Sequence, residues 1–287
     1  MTYLALVQNG IAQGLIIGLA ALSMTLVFAI ARFPNAAAGD MLTFGGYAGL
    51  FAFNATGSLL ATGLFAIIAT ALLSLAMYYA VFRRLAGRSS VSLLVASIGI
   101  GFMIRAVLGV SFGHGQLVFE IELTRPYIIG GIRVSPLDLK LALSALATLA
   151  AAFGILYMSS IGRQMRAVAD NSDLARVSGI RSERVMAALW LLVGALTAVA
   201  GVMLGMATIV APEVGWEILL PAFAAAIFGG IGSPIGAVAA GLILGVTQEL
   251  STPFVGFTYK IAVSFVVLCT VLVMRPRGLF GKAEAVR

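Results

Sequence analysis

Val185-Met186-Ala187-Ala188-Leu189-Trp190-Leu191-Leu192-Val193-Gly194-Ala195-Leu196-Thr197-Ala198-Val199-Ala200-Gly201-Val202-Met203-Leu204-Gly205-Met206-Ala207-Thr208-Ile209-Val210 is a run without a charged side chain. About 20 apolar residues cross the hydrocarbon of a bilayer, so this run reads as a membrane span. The rest of the chain has the same character. Of 287 residues, 61% are hydrophobic and 10% charged, with mean hydropathy +1.08. Soluble domains carry about 25% charged residues, and no soluble core hides this much apolar surface. A transmembrane β-barrel shows short alternating segments, whereas these runs are continuous. No polar stretch is long enough to fold as a soluble domain.

The fold expected is all-α: a polytopic transmembrane bundle of about eight spans in a single domain over residues 1–287. The apolar runs are Asn9 to Ala31, a short one from Met41 to Phe53, Leu59 to Phe82, Val91 to Phe112, Leu139 to Met158, Val185 to Val210, Leu219 to Glu249 and Tyr259 to Met274. Basic residues cluster at 83–88, 163–184 and 275–287, and these hold twelve of the eighteen Lys and Arg. They share one side of the bundle, which the positive-inside rule makes cytoplasmic. Loop 113–138 is then external, and loop 158–184 cytoplasmic. The formal charge of +7 follows from this bias and points to no nucleic acid. No Lys or Arg precedes Arg32, so the first run is expected to be a retained span rather than a secretory signal. Trp190 and Trp216 are expected at opposite interfaces of the span from Val185. Glycine pairs four apart (Gly14/Gly18, Gly109/Gly113, Gly201/Gly205, Gly241/Gly245) signal close helix packing.

Immediately before the quoted run lies a charged island. Five Arg and three acidic residues fall between Ser159 and Arg184. Arg163 to Asp170 reads as an amphipathic helix. Asn171 or Ser172 caps a second one, Asp173 to Ser178, and Gly179 stands where a left-handed C-cap falls. So short a helix is unstable alone in water. Met165, Val168, Leu174, Val177 and Ile180 make an apolar set too small for its own core, which suggests a cytoplasmic partner.

Two other places interrupt apolar runs with Gly or Pro and polar groups: residues 32–40 and 229–236. At membrane depth such breaks face protein or a water-filled cavity, and paired breaks build transporter sites. The alternative is a pair of interfacial turns. On the first reading Asn35, Gly39, Asp40, Gly229, Gly230, Gly232, Ser233 and Gly236 line the solute pathway. Asp40 is either an intramembrane charge or a surface cap. Arg105 is expected to snorkel to the external face, and Glu249 to lie at an interface.

These stretches also resemble a known family. Arg32-Phe33-Pro34-Asn35 through Gly39-Asp40, with Gly45 and Tyr47, is similar to the early motif of permease subunits of ABC importers for branched-chain amino acids. Gly162-Arg163 through Arg166-Ala167, Asp170-Asn171, Ala175, Gly179-Ile180 and Arg184-Val185 resembles their ATPase-coupling loop. Phe223 through Ala237 resembles their late glycine-rich motif, and Arg275 to Gly281 their C-terminal signature. The resemblance implies ATP-binding subunits, a second and related permease chain, a periplasmic or extracellular solute-binding protein, and a bacterial inner membrane. It implies alternating access for branched-chain amino acids or a related amino acid, amide or urea. One departure stands out: many members carry His-Gly-acid where this chain has Ala38-Gly39-Asp40.

Enzyme chemistry finds no footing. The one histidine, His114, lies in a Gly-rich loop without a second histidine, and Cys269 is the sole cysteine, which makes neither a metal set nor a triad. No phosphate-binding loop occurs, so ATP chemistry falls to another polypeptide and no cofactor is expected. A proton-coupled carrier, motivated by Asp40 and Glu249, is the alternative, and it gives the charged island no purpose.

Overall fold

The computed structural model describes residues 3–121, 127–129, 132–257, 259–275 and 278–280. Most of the C-terminal basic cluster and part of the 113–138 loop lie outside these. Eleven α-helices run in order: α1 Tyr3–Ala31, α2 Ala38–Thr56, α3 Leu59–Met77 (continued by a π turn, Tyr78–Phe82), α4 Ser90–Phe112, α5 Pro136–Met158, α6 Ser160–Asp170, α7 Ser172–Val177, α8 Ser182–Ala207, α9 Val214–Gly229, α10 Pro234–Val255 and α11 Lys260–Met274. The external loop adds a small hairpin, Tyr127–Ile129 against Ile132–Val134. Six helices are long and apolar enough to cross a membrane alone: α1, α3 with its π turn, α4, α5, α8 and α10. The run expected from Leu219 to Glu249 is two helices, α9 and α10, because Gly230 and Gly232 take positive φ and turn the chain between them.

Helix α3 shows why lipid is the solvent. Its outward stripe is Leu60, Leu64, Ile68 and Leu72, all exposed, while Thr62, Ala66, Thr70 and Ser74 face inward. The amphipathic order of a water-soluble helix is inverted. Ser74 Oγ donates to the Trp190 carbonyl at 2.6 Å, so the polar stripe ties α3 to α8.

Sidedness follows from contacts at one end of the bundle. Arg83 after α3 pairs with Glu183 of α8 at 3.0 Å. Arg32, at the end of α1, donates to the Ala169 carbonyl of α6. Leu279 N and Phe280 N donate to the Phe228 and Gly229 carbonyls at the end of α9 (2.8 and 3.1 Å). This end carries the basic clusters at 83–88 and 163–184, and by the positive-inside rule it is taken as the cytoplasmic end.

The two halves of the chain repeat each other in inverted orientation. α1 packs along α10 as α8 packs along α3. α2 packs on α8 and α3 as α9 packs on α1 and α10. α4 packs on α2 as α11 packs on α9. α1 ends at the cytoplasmic face and α8 begins there, which is the relation of inverted transporter repeats. The pairs Gly14/Gly18 and Gly241/Gly245 serve this packing, whereas Gly109 and Gly113 meet only His114 and Gly115 and join no second helix. Cβ atoms added at Gly14 or Gly241 would meet Leu242 Cα at 2.8 Å or Gly18 Cα at 2.5 Å. Only bare backbones bring α1 and α10 so close.

Trp190 is no interfacial anchor. It is fully buried, stacked on Phe82 with centroids 4.6 Å apart and close to Phe33 and Tyr78. An indole in the core packs better against rings than against headgroups.

Candidate functional site

The chain leaves α1 at the cytoplasmic face through Arg32, whose φ of +63° reverses its direction. Residues 33–37 then climb into the membrane. Ala36 N donates to Ser97 Oγ of α4 at 3.0 Å, and Asn35 Oδ1 accepts from Ala37 N at 3.2 Å. Asn35 is wholly enclosed, so it holds the backbone where α2 begins. Ala38, where the family's histidine falls, is buried too. Asp40 lies in the first turn of α2 against Gly101, eleven residues into α4 and about 16 Å from its cytoplasmic end at 1.5 Å per residue. The first break therefore starts at the inner face and ends near the middle of the bilayer.

Arg105 does not snorkel outward. Its Nε and Nη2 donate to Asp40 Oδ1 at 3.0 and 2.8 Å, with the Asp40 side chain 3% exposed and the Arg105 side chain 19%. The guanidinium also lies over Trp216 and Phe102, 5.1 and 5.3 Å from their centroids. A charge at this depth is tolerated when paired, and Asp40 lay closer to Arg105 than the aqueous face did. Trp216 accordingly sits in α9 beside this pair, not at the end of α8.

α2 meets α9 at the symmetric point. Gly39 and Gly215 pack backbone to backbone, and Gly215 N donates to Thr43 Oγ1 at 3.0 Å. Thus the segments before α2 and α9 (32–37 and 208–213) form the matched pair of breaks. The 229–236 turn is elsewhere. It lies at the cytoplasmic end of α9, fourteen residues from Gly215, or about 21 Å. There Gly229 and Gly236 pack together, Ser233 Oγ caps α10 by accepting from Gly236 N at 3.2 Å, and Gly278 of the tail seats against Gly230. The structure therefore brings Gly39 and Asp40 to the crossing and keeps Gly229, Gly230, Gly232, Ser233 and Gly236 apart from it. The cavity at the crossing, lined by Thr43, Gly46, Gly201, Val210 and Gly215 among others, has about 10 Å³. A ligand pocket takes about 300 Å³ or more.

Glu249 lies six residues before the end of α10, is buried, and carries its own cation: Lys260 Nζ lies 2.9 Å from Oε1. His114 packs its ring on Gly109.

On the cytoplasmic side the two expected short helices form. Ser159 caps α6 and Asn171 caps α7, its Oδ1 accepting from Asp173 N and Leu174 N at 3.0 Å each. Gly179 takes φ +83°, and Ile180 N donates to the Ala175 carbonyl at 3.0 Å. Gly162 lets α6 fold back over α5, since any Cβ would strike the Ile155 and Leu156 carbonyls. Arg166 reaches the Leu156 carbonyl and lies over Tyr157, while Arg163 reaches the Met158 carbonyl at 3.5 Å. Both arginines are thus spent on α5. The apolar set divides: Met165 and Val168 are buried in the membrane domain, Ile180 is half-buried, and Leu174 and Val177 are 65% and 87% exposed. Leu174 and Val177 are the free knob. The sequence showed their apolarity but not which of the set pointed outward.

The family model for "Branched-chain amino acid transport system / permease component" matches residues 6–273. The high-affinity branched-chain amino acid permease LivH of Escherichia coli is 30% identical over 96% of this chain and 94% of its own length. BraD of Pseudomonas aeruginosa is 29% identical, covering 98% and 97%. A probable LivH of Methanocaldococcus jannaschii is 26% identical, covering 96% and 92%. Among solved structures, PsaBC from Streptococcus pneumoniae in complex with Fab superposes with TM-score 0.51 at 13% identity, covering 96% of this chain and 93% of that one. An inward-facing putative metal-chelate type ABC transporter gives TM-score 0.51 at 12% identity, covering 93% and 85%. At those identities the two structures speak for the fold alone. The helical bundle with its inner-face helix pair and the match along nearly the whole chain agree: this protein belongs to the branched-chain amino acid permease component family, membrane subunits of ABC transporters and not enzymes.

Proposed function

We propose that this chain is one half of the translocation unit of an ATP-driven importer in a bacterial inner membrane, carrying branched-chain amino acids or a closely related solute by alternating access. Family membership brings ATP-binding subunits and a solute-binding protein as partners; the finer reading adds a second, related permease chain. The observation that carries this reading is α7. A helix of six residues does not hold itself together in water, yet α7 is capped at both ends and presents Leu174 and Val177 to solvent. Burying such a side chain yields about 1.5–3 kcal/mol, so the pair contributes to a docking contact. Gly162, Arg163, Arg166 and Ala167 brace α6 on the membrane domain, and Asp170 ends it exposed; Asn171, Ala175, Gly179 and Ile180 shape α7. Movement of a docked ATPase is passed by this braced pair to α5 and α8.

Solute passes along a surface of the chain outside the buried Gly39–Asp40 segment, completed by the second permease. The crossing itself has no room for a solute, which supports a pathway between chains. The 229–236 glycines serve that pathway by fixing the cytoplasmic end of α9. The proton-coupled alternative loses its motive, since Asp40 and Glu249 each hold a cation of the chain's own.

The test is the double substitution Leu174→Asp with Val177→Asp. Both side chains are exposed, so insertion and folding persist while ATPase co-purification and ATP-driven leucine uptake fall more than tenfold. Unchanged uptake would refute the coupling role.

A further inference from the structure

Helix α9 carries a carboxylate that the chain itself does not use. Glu217 is exposed, and among the described residues it forms no ion pair. Its depth follows from two helices. Twelve residues separate it from Gly229 at the cytoplasmic end of α9, a rise of about 18 Å. Its neighbour Trp216 stacks on Phe102, centroids 6.3 Å apart, and Phe102 is itself twelve residues into α4 from the same face. The hydrocarbon core is about 30 Å thick, so the carboxylate stands within it. The sixteen residues of α9 span only about 24 Å, which puts the start of the helix inside the core as well.

An ionisable group bare to lipid is expensive, so the face bearing Glu217 looks onto protein or water. That face differs from the apolar stripe on α3. It carries Trp216 at 38% exposure, Glu217 and Leu220 on α9, with Phe102 of α4 beside them and the Arg105 guanidinium at its edge. Arg105 spends Nε and Nη2 on Asp40, which leaves the donors on Nη1 uncommitted to it. A carboxylate next to an indole is the chemistry of an ammonium site, and free guanidinium donors are that of a carboxylate site.

We propose that Glu217 is a solute-binding residue of the translocation pathway, receiving the ammonium group of a zwitterionic amino acid beside Trp216, on a face closed by the second permease chain. This deepens the amino-acid reading above and rests on it. The free edge of Arg105 takes the solute carboxylate.

The test uses the complete transporter in vesicles, in a Cys269→Ser background that removes this chain's only native thiol, with labelling read on this chain. Glu217→Cys is compared with Ile68→Cys, on the apolar stripe of α3, using a cationic membrane-impermeant methanethiosulfonate. The thiol at 217 reacts at least tenfold faster, and leucine with its binding protein slows that reaction. Leu220→Cys, one turn along the same face, replaces Glu217→Cys should the latter not assemble. In parallel, Glu217→Gln lowers leucine import at least tenfold with the complex intact, and Glu217→Asp restores a substantial part. Labelling no faster than at 68, or import by Glu217→Gln at the wild-type rate, overturns the proposal. Failure of the broader reading is seen separately, as wild-type vesicles that import no amino acid.

Discussion

Asp40 and Glu217 are carboxylates at membrane depth near the starts of α2 and α9, helices that correspond in the inverted repeat, and the protein treats them in opposite ways. Asp40 is enclosed, grips Arg105 and leans on Gly101. Glu217 is exposed and has no partner among the described residues. In lipid both are costly, and the difference lies in where the neutralising charge comes from. For Asp40 it is internal, and the pair ties α2 to α4. For Glu217 it comes from outside the chain. Two matching frames therefore yield a strut on one side and a recognition group on the other.

Breaking the internal pair has the largest expected effect. Arg105→Ala leaves Asp40 buried and unpaired, costing about 3–5 kcal/mol, read as a lower unfolding temperature and poor insertion. Asp40→Asn combined with Arg105→Gln recovers most of it, because no net charge is stranded. Next comes the crossing that holds both half-helices. Gly215→Val forces a side chain into the Gly39 backbone and costs about 1–3 kcal/mol or more by overpacking, with leucine uptake falling together with thermal stability. A peripheral pair sharpens the contrast. Lys260→Met removes the partner of Glu249, whose side chain is 12% exposed, and costs about 1–3 kcal/mol, with uptake largely kept because the pair lies away from the α2–α9 crossing. The smallest stability effect belongs to Glu217→Gln, within about 0.5 kcal/mol of wild type. A large stability loss there would show that Glu217 is a strut like Asp40 and end the contrast.

Some parts of this protein were legible residue by residue. The caps of the charged island were readable because a cap is a local hydrogen bond: Asn171 and Gly179 did what their types favour. The glycine pairs on α1 and α10 announced close packing for a similar reason, though not that they faced each other. Other features were not legible. Arg105 looked free to snorkel because its distance to the membrane face is visible along one helix, whereas its distance to Asp40 is not. Trp190 looked interfacial by its position in the span, yet it sits in an aromatic cluster assembled from three segments of chain. The two conspicuous breaks looked like a pair, but the break matching 32–37 is 208–213, a stretch with little to mark it in composition.

By itself the sequence determined the solvent, the helical bundle and the short capped helices, since each depends on composition or on residues within a few positions. Tertiary structure alone decided how deep α2 and α9 begin, which charge neutralises Asp40, which apolar knobs of the coupling loop remain free, and that a carboxylate stays bare on α9. In lipid both faces of a helix are apolar, so periodicity no longer says which face turns inward. That choice is made by backbone approach between segments far apart in the chain, at contacts such as Gly39 with Gly215.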